Sequence, residues 1–425
     1  MFESLLNAFR APDIRRRILF VLGILVVYRL LAQVPLPGVD RTQLAAFFEK
    51  NTAFGIIDLF AGGGLSQLSV VGLTMNPYIN ASIIMQLMQG VIPSLQALSR
   101  EGEFGRQKLN QYTRYLTVPM AFLQAFGILS ALNADGIIIG GFGLGNAMSW
   151  VQMVSMVAGA VVLMWLGELI TEKGIGNGIS FIIFAGIVSR APGAIATLGT
   201  QQLRDIVLFA ILAIVAVGVI IYIQEGQRRI PVQYASRVRG RRMYQGGQTF
   251  LPLRVNLAGV IPIIFAVSIL QFPAQLALYF SYSTVKGVSD VATAIANFLS
   301  STTPQYAIMY FLLTVGFTYF YTAFTFKPDE TAEQLRKNGG FIPGIRPGRP
   351  TQDYLARVVS RITVAGALFL GTIAVAPVIA GVLDSSLRGV ALGGTGILIV
   401  VSVVVETMKQ IEAQLMMRNY EGFIR

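Results

Sequence analysis

The side chains that most often carry chemistry are missing from this sequence. Its 425 residues include no Cys and no His, which removes thiol nucleophiles, disulfides, histidine bases and the usual zinc ligands together. No Gly-x-x-x-x-Gly-Lys phosphate loop occurs, and Gly174-Ile-Gly-Asn-Gly178 follows no strand, so it reads as a turn and not a nucleotide site. What is patterned is of another kind. Ile79 and Ile83, like Ile179 and Ile183, recur at a spacing of four, which places each pair on one helix face. Gly62, Gly63 and Gly64 break an apolar stretch. Arg237-Val-Arg-Gly-Arg-Arg242 and Phe341-Ile-Pro-Gly-Ile-Arg-Pro-Gly348 gather guanidinium groups in turn-forming sequence. Such residues can seal, bend and dock, but none is arranged to make or break a bond. The sequence therefore predicts a protein that is not an enzyme, with no metal site and no cofactor.

The elements that hold these residues must be membrane helices. Hydrophobic residues make up 54% of the chain and charged residues only 13%, against about 25% charged in a soluble domain. Ile18 to Val34 and Met148 to Ile170 are blocks of the length a helix needs to cross ~30 Å of hydrocarbon. Spans are expected at roughly 18–34, 75–92, 115–133, 148–170, 175–192, 206–224, 255–279, 305–326, 358–382 and 395–411. Ten crossings put both termini on one side. Of the 33 Lys and Arg residues, all but Arg29, Arg41, Lys50, Arg190, Arg204, Lys286 and Arg388 fall on that side, which the positive-inside rule makes cytoplasmic. The N-terminus reads as a retained first helix after Arg15, Arg16 and Arg17, without a cleavage pattern. The predicted fold is an all-α integral membrane protein of ten helices. Two inverted five-helix halves, 1–195 and 196–425, are expected around a central pore, because an odd number of spans per half reverses the second half.

Residues 53–74 are apolar yet too short to cross. Each of the three glycines costs a helix about 1 kcal/mol relative to Ala, and Ser66, Gln67 and Ser69 add polar groups that lipid cannot satisfy. Backbone of that kind is tolerated at membrane depth only inside protein or against a wet cavity. A re-entrant element is the expectation, with a surface-lying amphipathic loop as the alternative. In the next span Asn76, Asn80, Gln86 and Gln89 are too polar to face lipid and should point inward, either to line a cavity or to bond neighbouring helices. The loops 225–254 and 327–357 are long and basic. They suit a docked partner or, alternatively, an anionic lipid surface.

Several stretches resemble the SecY family of protein-conducting channels, part of the bacterial Sec translocon. They are Met75-Asn-Pro-Tyr-Ile-Asn-Ala-Ser-Ile-Ile-Met-Gln-Leu87, the run from Gly167 to Ile187, Leu251-Pro-Leu-Arg-Val-Asn-Leu-Ala-Gly-Val-Ile-Pro262, Gly339 to Gly348, and Gly393-Gly-Thr-Gly-Ile-Leu-Ile-Val-Val401. They run in order along the whole chain. The resemblance implies a passive channel in the bacterial cytoplasmic membrane, which moves unfolded secretory polypeptides across and releases transmembrane segments sideways into lipid. It implies a pore ring of Ile79, Ile83, Ile179, Ile183, Ile264 and Ile399. A plug is implied over about 55–72, including Asp58, Leu59, Phe60, Gly62, Gly63, Gly64, Leu65 and Leu68. A lateral gate is implied among the spans at 75–92, 115–133, 255–279 and 305–326, with Asn80, Gln86 and Asn256. Arg239, Arg241, Arg242, Arg346 and Arg349 would dock the SecA ATPase or a translating ribosome. SecE, SecG, signal peptides, nascent polypeptides and membrane lipids complete the implied partners.

Physical chemistry suits that task, since a ring of bulky apolar side chains dewets and gates without selecting a substrate. A secondary transporter also uses broken helices and inverted repeats, but its coupling normally needs ionisable groups at the midplane. Here Arg29, Glu168 and Glu406 lie toward span ends.

Overall fold

The computed structural model describes residues 11–40, 42–44, 67–134, 136–143, 145–198, 203–234, 237–239, 242–244, 247–281, 286–300, 303–383 and 388–422. Its helices are α1 (Pro12–Ala32), α2 (Asn76–Val91), α3 (Pro93–Arg100), α4 (Glu103–Ala134), α5 (Ala147–Lys173), α6 (Gly178–Leu198) and α7 (Leu203–Glu225). After the strands β1 (Gln227–Tyr234), β2 (Arg237–Arg239), β3 (Arg242–Tyr244) and β4 (Gln248–Arg254) come α8 (Ile261–Ser281), α9 (Lys286–Phe298), α10 (Pro304–Thr325) and α11 (Pro328–Lys337). The strand β5 (Gly340–Phe341) leads into α12 (Arg349–Leu383) and α13 (Arg388–Gly422).

Each expected span overlaps one helix, with shifted ends. The span expected from 255 begins only at Ile261, because Gly259 turns the chain with φ +64 and Pro262 suits the first helical turn. The span at 75–92 is short: Pro93 holds Ile92 extended (φ −95, ψ 113), and α3 leaves at 100° to α2. Among the described residues, four helical runs are long and apolar enough to cross a membrane alone: Glu103–Asn133, Ala147–Lys173, Pro304–Lys337 and Arg349–Ala376. A fifth results if α2 and α3 form one bent span. Their outward faces stay apolar. Trp150 and Trp165 on α5 and Ile308 and Leu312 on α10 are exposed, as expected of helices whose solvent is hydrocarbon.

Close helix crossings are made by glycine. A Cβ on Gly178 would lie 1.8 Å from the Gly167 carbonyl oxygen, so α5 and α6 meet backbone to backbone. The Thr171 hydroxyl fastens the crossing: it donates to Gly167 O at 3.0 Å and accepts from the Gly178 amide at 2.9 Å.

The two basic loops, read from sequence as loops alone, pair with each other. Strand β1 lies antiparallel between β4 and β5, with Ile230 opposite Leu251 and Gln233 opposite Phe341. Ile230 and Val232 alternate inward and share a buried cluster with Leu253, Ala332, Leu335, Ile342 and Leu355, which seats the sheet on α11 and the start of α12. The small sheet departs from the all-α expectation. Its sequence cue was the alternation in Gln227–Tyr234, overshadowed by the surrounding Arg, Gly and Pro.

Candidate pore constriction

Four helices bring the six isoleucines together. Ile79 and Ile83 sit on α2, Ile183 on α6, Ile264 on α8 and Ile399 on α13, and these five are buried in one hydrophobic cluster. Ile179, half-buried at the start of α6, packs against the same cluster. Ile79, Ile183 and Ile264 border a space of only about 10 Å³, together with Thr74, Met75, Asn76, Val267, Ser268 and Gln271. That is room for one water at most.

Polar side chains flank this cluster on both sides along α2 and α8, and at the sheet-bearing end along α6 and α13. Toward the sheet-bearing end, α2 continues with Ser82, Gln86 and Gln89. These line a 590 Å³ cavity shared with Asn110 and Thr113 of α4, Tyr321 and Thr325 of α10, and Gln334 of α11. At the same end a 230 Å³ cavity is lined by Asn177 just before α6, Ser180 in its first turn, Asn256 before α8, and Ser402, Glu406 and Lys409 on α13. Toward the opposite end, Thr74, Asn76, Ser268 and Gln271 give the small space its polar lining. Helices α2 and α8 thus carry polar groups, then isoleucine, then polar groups again.

The expected gate residues lie in different surroundings. Asn80 is buried, Gln86 accepts no hydrogen bond at Oε1 and faces the larger cavity, and Asn256 donates from Nδ2 to Gly259 O at 3.0 Å beside the smaller one. Asp58, Leu59, Phe60, Gly62, Gly63, Gly64 and Leu65 lie outside the described residues. Leu68 is described and fully buried, in a second cluster with Leu36, Leu132 and Met156. Its carbonyl accepts from the Leu36 amide at 2.9 Å, and Val70 N donates to Val34 O at 2.9 Å. A Cβ on Gly159 of α5 would stand 2.1 Å from Val70 O. Leu68 (φ +40) and Thr74 (φ +51) both adopt left-handed backbone, unusual for residues with a side chain. The stretch leading into α2 is therefore firmly clamped at two strained joints.

On the sheet platform, Arg346 and Arg349 are exposed. Gly344 (φ +81) and Gly348 (φ +102) bracket Arg346, and the Thr351 hydroxyl donates to its carbonyl at 2.9 Å, which fixes the tip. Arg239 and Arg242 form the last backbone pair of the β2–β3 hairpin, while Arg241 lies outside the described residues. Sequence reasoning missed two side-chain bridges near the cavities. Glu168 of α5 takes Arg114 of α4 in a two-point ion pair (2.8 Å each), and Lys409 of α13 reaches Glu225 of α7 at 2.8 Å. Gln224 also donates to the Ser402 hydroxyl. No spacing rule links such partners, since each pair is distant in sequence.

Comparisons agree with this architecture. A family model for SecY matches residues 69–408. The protein translocase subunit SecY of Streptomyces coelicolor is 44% identical over 441 residues, covering 100% of both chains. A solved structure of the SecY protein, whose plug domain stabilises the closed state of the translocation channel and maintains a membrane seal, superposes with a TM-score of 0.64 at 20% identity. It covers 93% of this chain and 91% of that one. The idle yeast Ssh1 complex bound to the yeast 80S ribosome gives a TM-score of 0.64 at 15% identity, over 92% and 89% of the two chains. A full-length relative at this identity, joined to a matching family model and a shared fold, makes this chain a member of the SecY family.

Proposed function

We propose that this chain is a protein-conducting channel that passes unfolded secretory polypeptides across the bacterial cytoplasmic membrane and releases transmembrane segments sideways into lipid. The observation that carries the reading is the order of linings: polar cavities at the sheet-bearing end, the isoleucine cluster, then polar side chains beyond it. An apolar waist with wet surfaces on either side blocks ions when idle and binds no particular side chain of a passing substrate. In this reading ten of the helices span, all but α3, α9 and α11, with both termini and the sheet platform cytoplasmic. The segment around Asp58 to Val70 is the plug that closes the outer side of the ring.

The driving energy comes from partners. The exposed Arg346 and Arg349, with the hairpin arginines, dock the SecA ATPase or a translating ribosome, whose RNA phosphates need exposed cations and no base-reading groups. SecE and SecG brace the bundle from its lipid side. The 590 Å³ cavity between α2, α4, α10 and α11 opens where the lateral gate is expected, and receives the signal peptide. Coupled transport is disfavoured by the buried polar groups: among the described residues they are Ser, Thr, Asn and Gln, with no buried acid or base.

The test is electrical. Ile183→Asn and Ile264→Asn each place an amide in the waist, and each is expected to raise the ion conductance of reconstituted vesicles well above the parent. Conductance equal to the parent in both would remove these residues from the seal.

A further inference from the structure

Two polar ties join the last turn of α7 to α13, at the end of the bundle that carries the sheet. Gln224 Nε2 donates to the Ser402 hydroxyl. One residue on, Glu225 takes Lys409 in an ion pair at 2.8 Å, and Lys409 Nζ also donates to Gln224 O at 3.5 Å. Ser402 is only 4% exposed, so its hydroxyl sits in the protein interior, whereas Lys409 and Glu225 keep part of their side chains in water. Gln224, Ser402 and Lys409 share a wall of the 230 Å³ cavity. Ser402 and Lys409 lie two turns apart on nearly the same face of α13. Ile399 of the waist comes just under one turn before Ser402, about 60° around the helix.

We propose that Gln224 is a positioning residue for the waist: through the Ser402 hydroxyl it fixes the rotation of α13 and so holds Ile399 in the constriction. Its importance for function rests on reading the isoleucines as a seal. Other contacts of α13 are of a different kind. Where it meets α6, a Cβ on Gly396 would stand 3.1 Å from Ile187 Cγ2, and Leu398 and Val403 lie in the apolar cluster. Apolar contact resists separation but is non-directional, so it opposes a small turn of a helix less than a hydrogen bond of fixed angle does. A turn of ~20° would carry a side-chain tip ~6 Å from the helix axis by about 2 Å, the scale of a water molecule. The anchor is itself held. Gly226, next along from the two ties, donates to Tyr222 O at 3.1 Å and accepts from Val255 N at 2.9 Å, and β1 then enters the sheet at Gln227. The last turn of α7 is thus fixed from the sheet side, and α13 is the helix that can turn. The half-exposed Lys409 pair adds less, because water screens it.

Because the chain has no Cys, one introduced thiol can be followed in the full chain, purified with its membrane partners and reconstituted in vesicles. The reporters are Ile399→Cys and, on α5, Leu163→Cys, a position fully buried in the same apolar cluster. The probe is a charged, water-soluble maleimide, its adduct located by peptide mapping. Gln224→Leu and Ser402→Ala are each expected to speed modification at position 399 several-fold and to leave position 163 at the parental rate. Both changes remove one and the same bond, so the double variant should match the faster single one. Ser402→Thr, which keeps the hydroxyl, should retain the slow rate, and Lys409→Met should raise it less than Gln224→Leu. Resting ion conductance should rise in step with reactivity at 399. A parental rate at 399 in both single variants would overturn the proposal. So would rates at 399 and 163 that rise together, since the tie would then merely hold the bundle folded, and so would a double variant whose effect is the product of the two. Faster modification at 399 with unchanged conductance would uphold the tie and count against the seal instead.

Discussion

Arg254 closes β4 and Ile264 sits one helical approach further on, yet their surroundings obey opposite rules. Around Ile264 the chain uses many weak contacts: five buried isoleucines and one half-buried, on four helices, any of which could be replaced by another apolar side chain of similar volume. Around the sheet, the proposed docking role rests on a few exposed guanidinium groups whose charge and position would be the whole message, with the strands and the Thr351 bond holding the loop that carries them. The difference teaches that a seal stores its information in shape and a docking surface stores it in charge. Substitutions should therefore separate the two regions cleanly.

The largest effect is expected at the platform. Arg346→Glu reverses one fixed charge, and motor-driven export into inverted vesicles should fall to background while the chain still assembles in the membrane. Export at the parental rate would break the comparison. Next in size is the plug: deleting 60–66, which spares the buried Leu68, should leave the protein assembled but raise its resting ion leak, and loss of assembly would make that segment a structural one. Smaller again is Thr351→Val, which removes the bond that steadies Arg346. Losing about 1 kcal/mol of local order should cut export several-fold without changing ion leak. The smallest is Ile399→Val at the waist. It costs about 0.5–1.5 kcal/mol of packing and should leave export within about two-fold of the parent, because the seal reads bulk and polarity, not identity.

Sequence and structure diverge for physical reasons that differ by region. The helices were legible because apolar blocks and the turn at Gly174–Gly178 are local signals. The grouping of six isoleucines was not legible from spacing, which could pair Ile79 with Ile83 and Ile179 with Ile183 but could not bring α2, α6, α8 and α13 together. That came from resemblance, and the structure puts them in or against one cluster. The sheet was hidden because its strands come from two loops about a hundred residues apart, and Gly340–Phe341 is too short to announce itself. The clamp at Leu68–Thr74 was hidden for another reason: left-handed backbone at a Leu and a Thr contradicts local preference, and around Leu68 the chain is held by Pro35, Leu36 and Gly159.

The central claim is that a polypeptide travels past the isoleucines. A photo-crosslinking residue placed at position 83 or 183 tests it against a stalled secretory chain engaged with the channel, with position 165 on the exposed face of α5 as the reference. The account predicts strong cross-links to the stalled chain from 83 and 183 and none from 165. Cross-links absent at both interior positions, in a preparation where the stalled chain is demonstrably engaged, would contradict it.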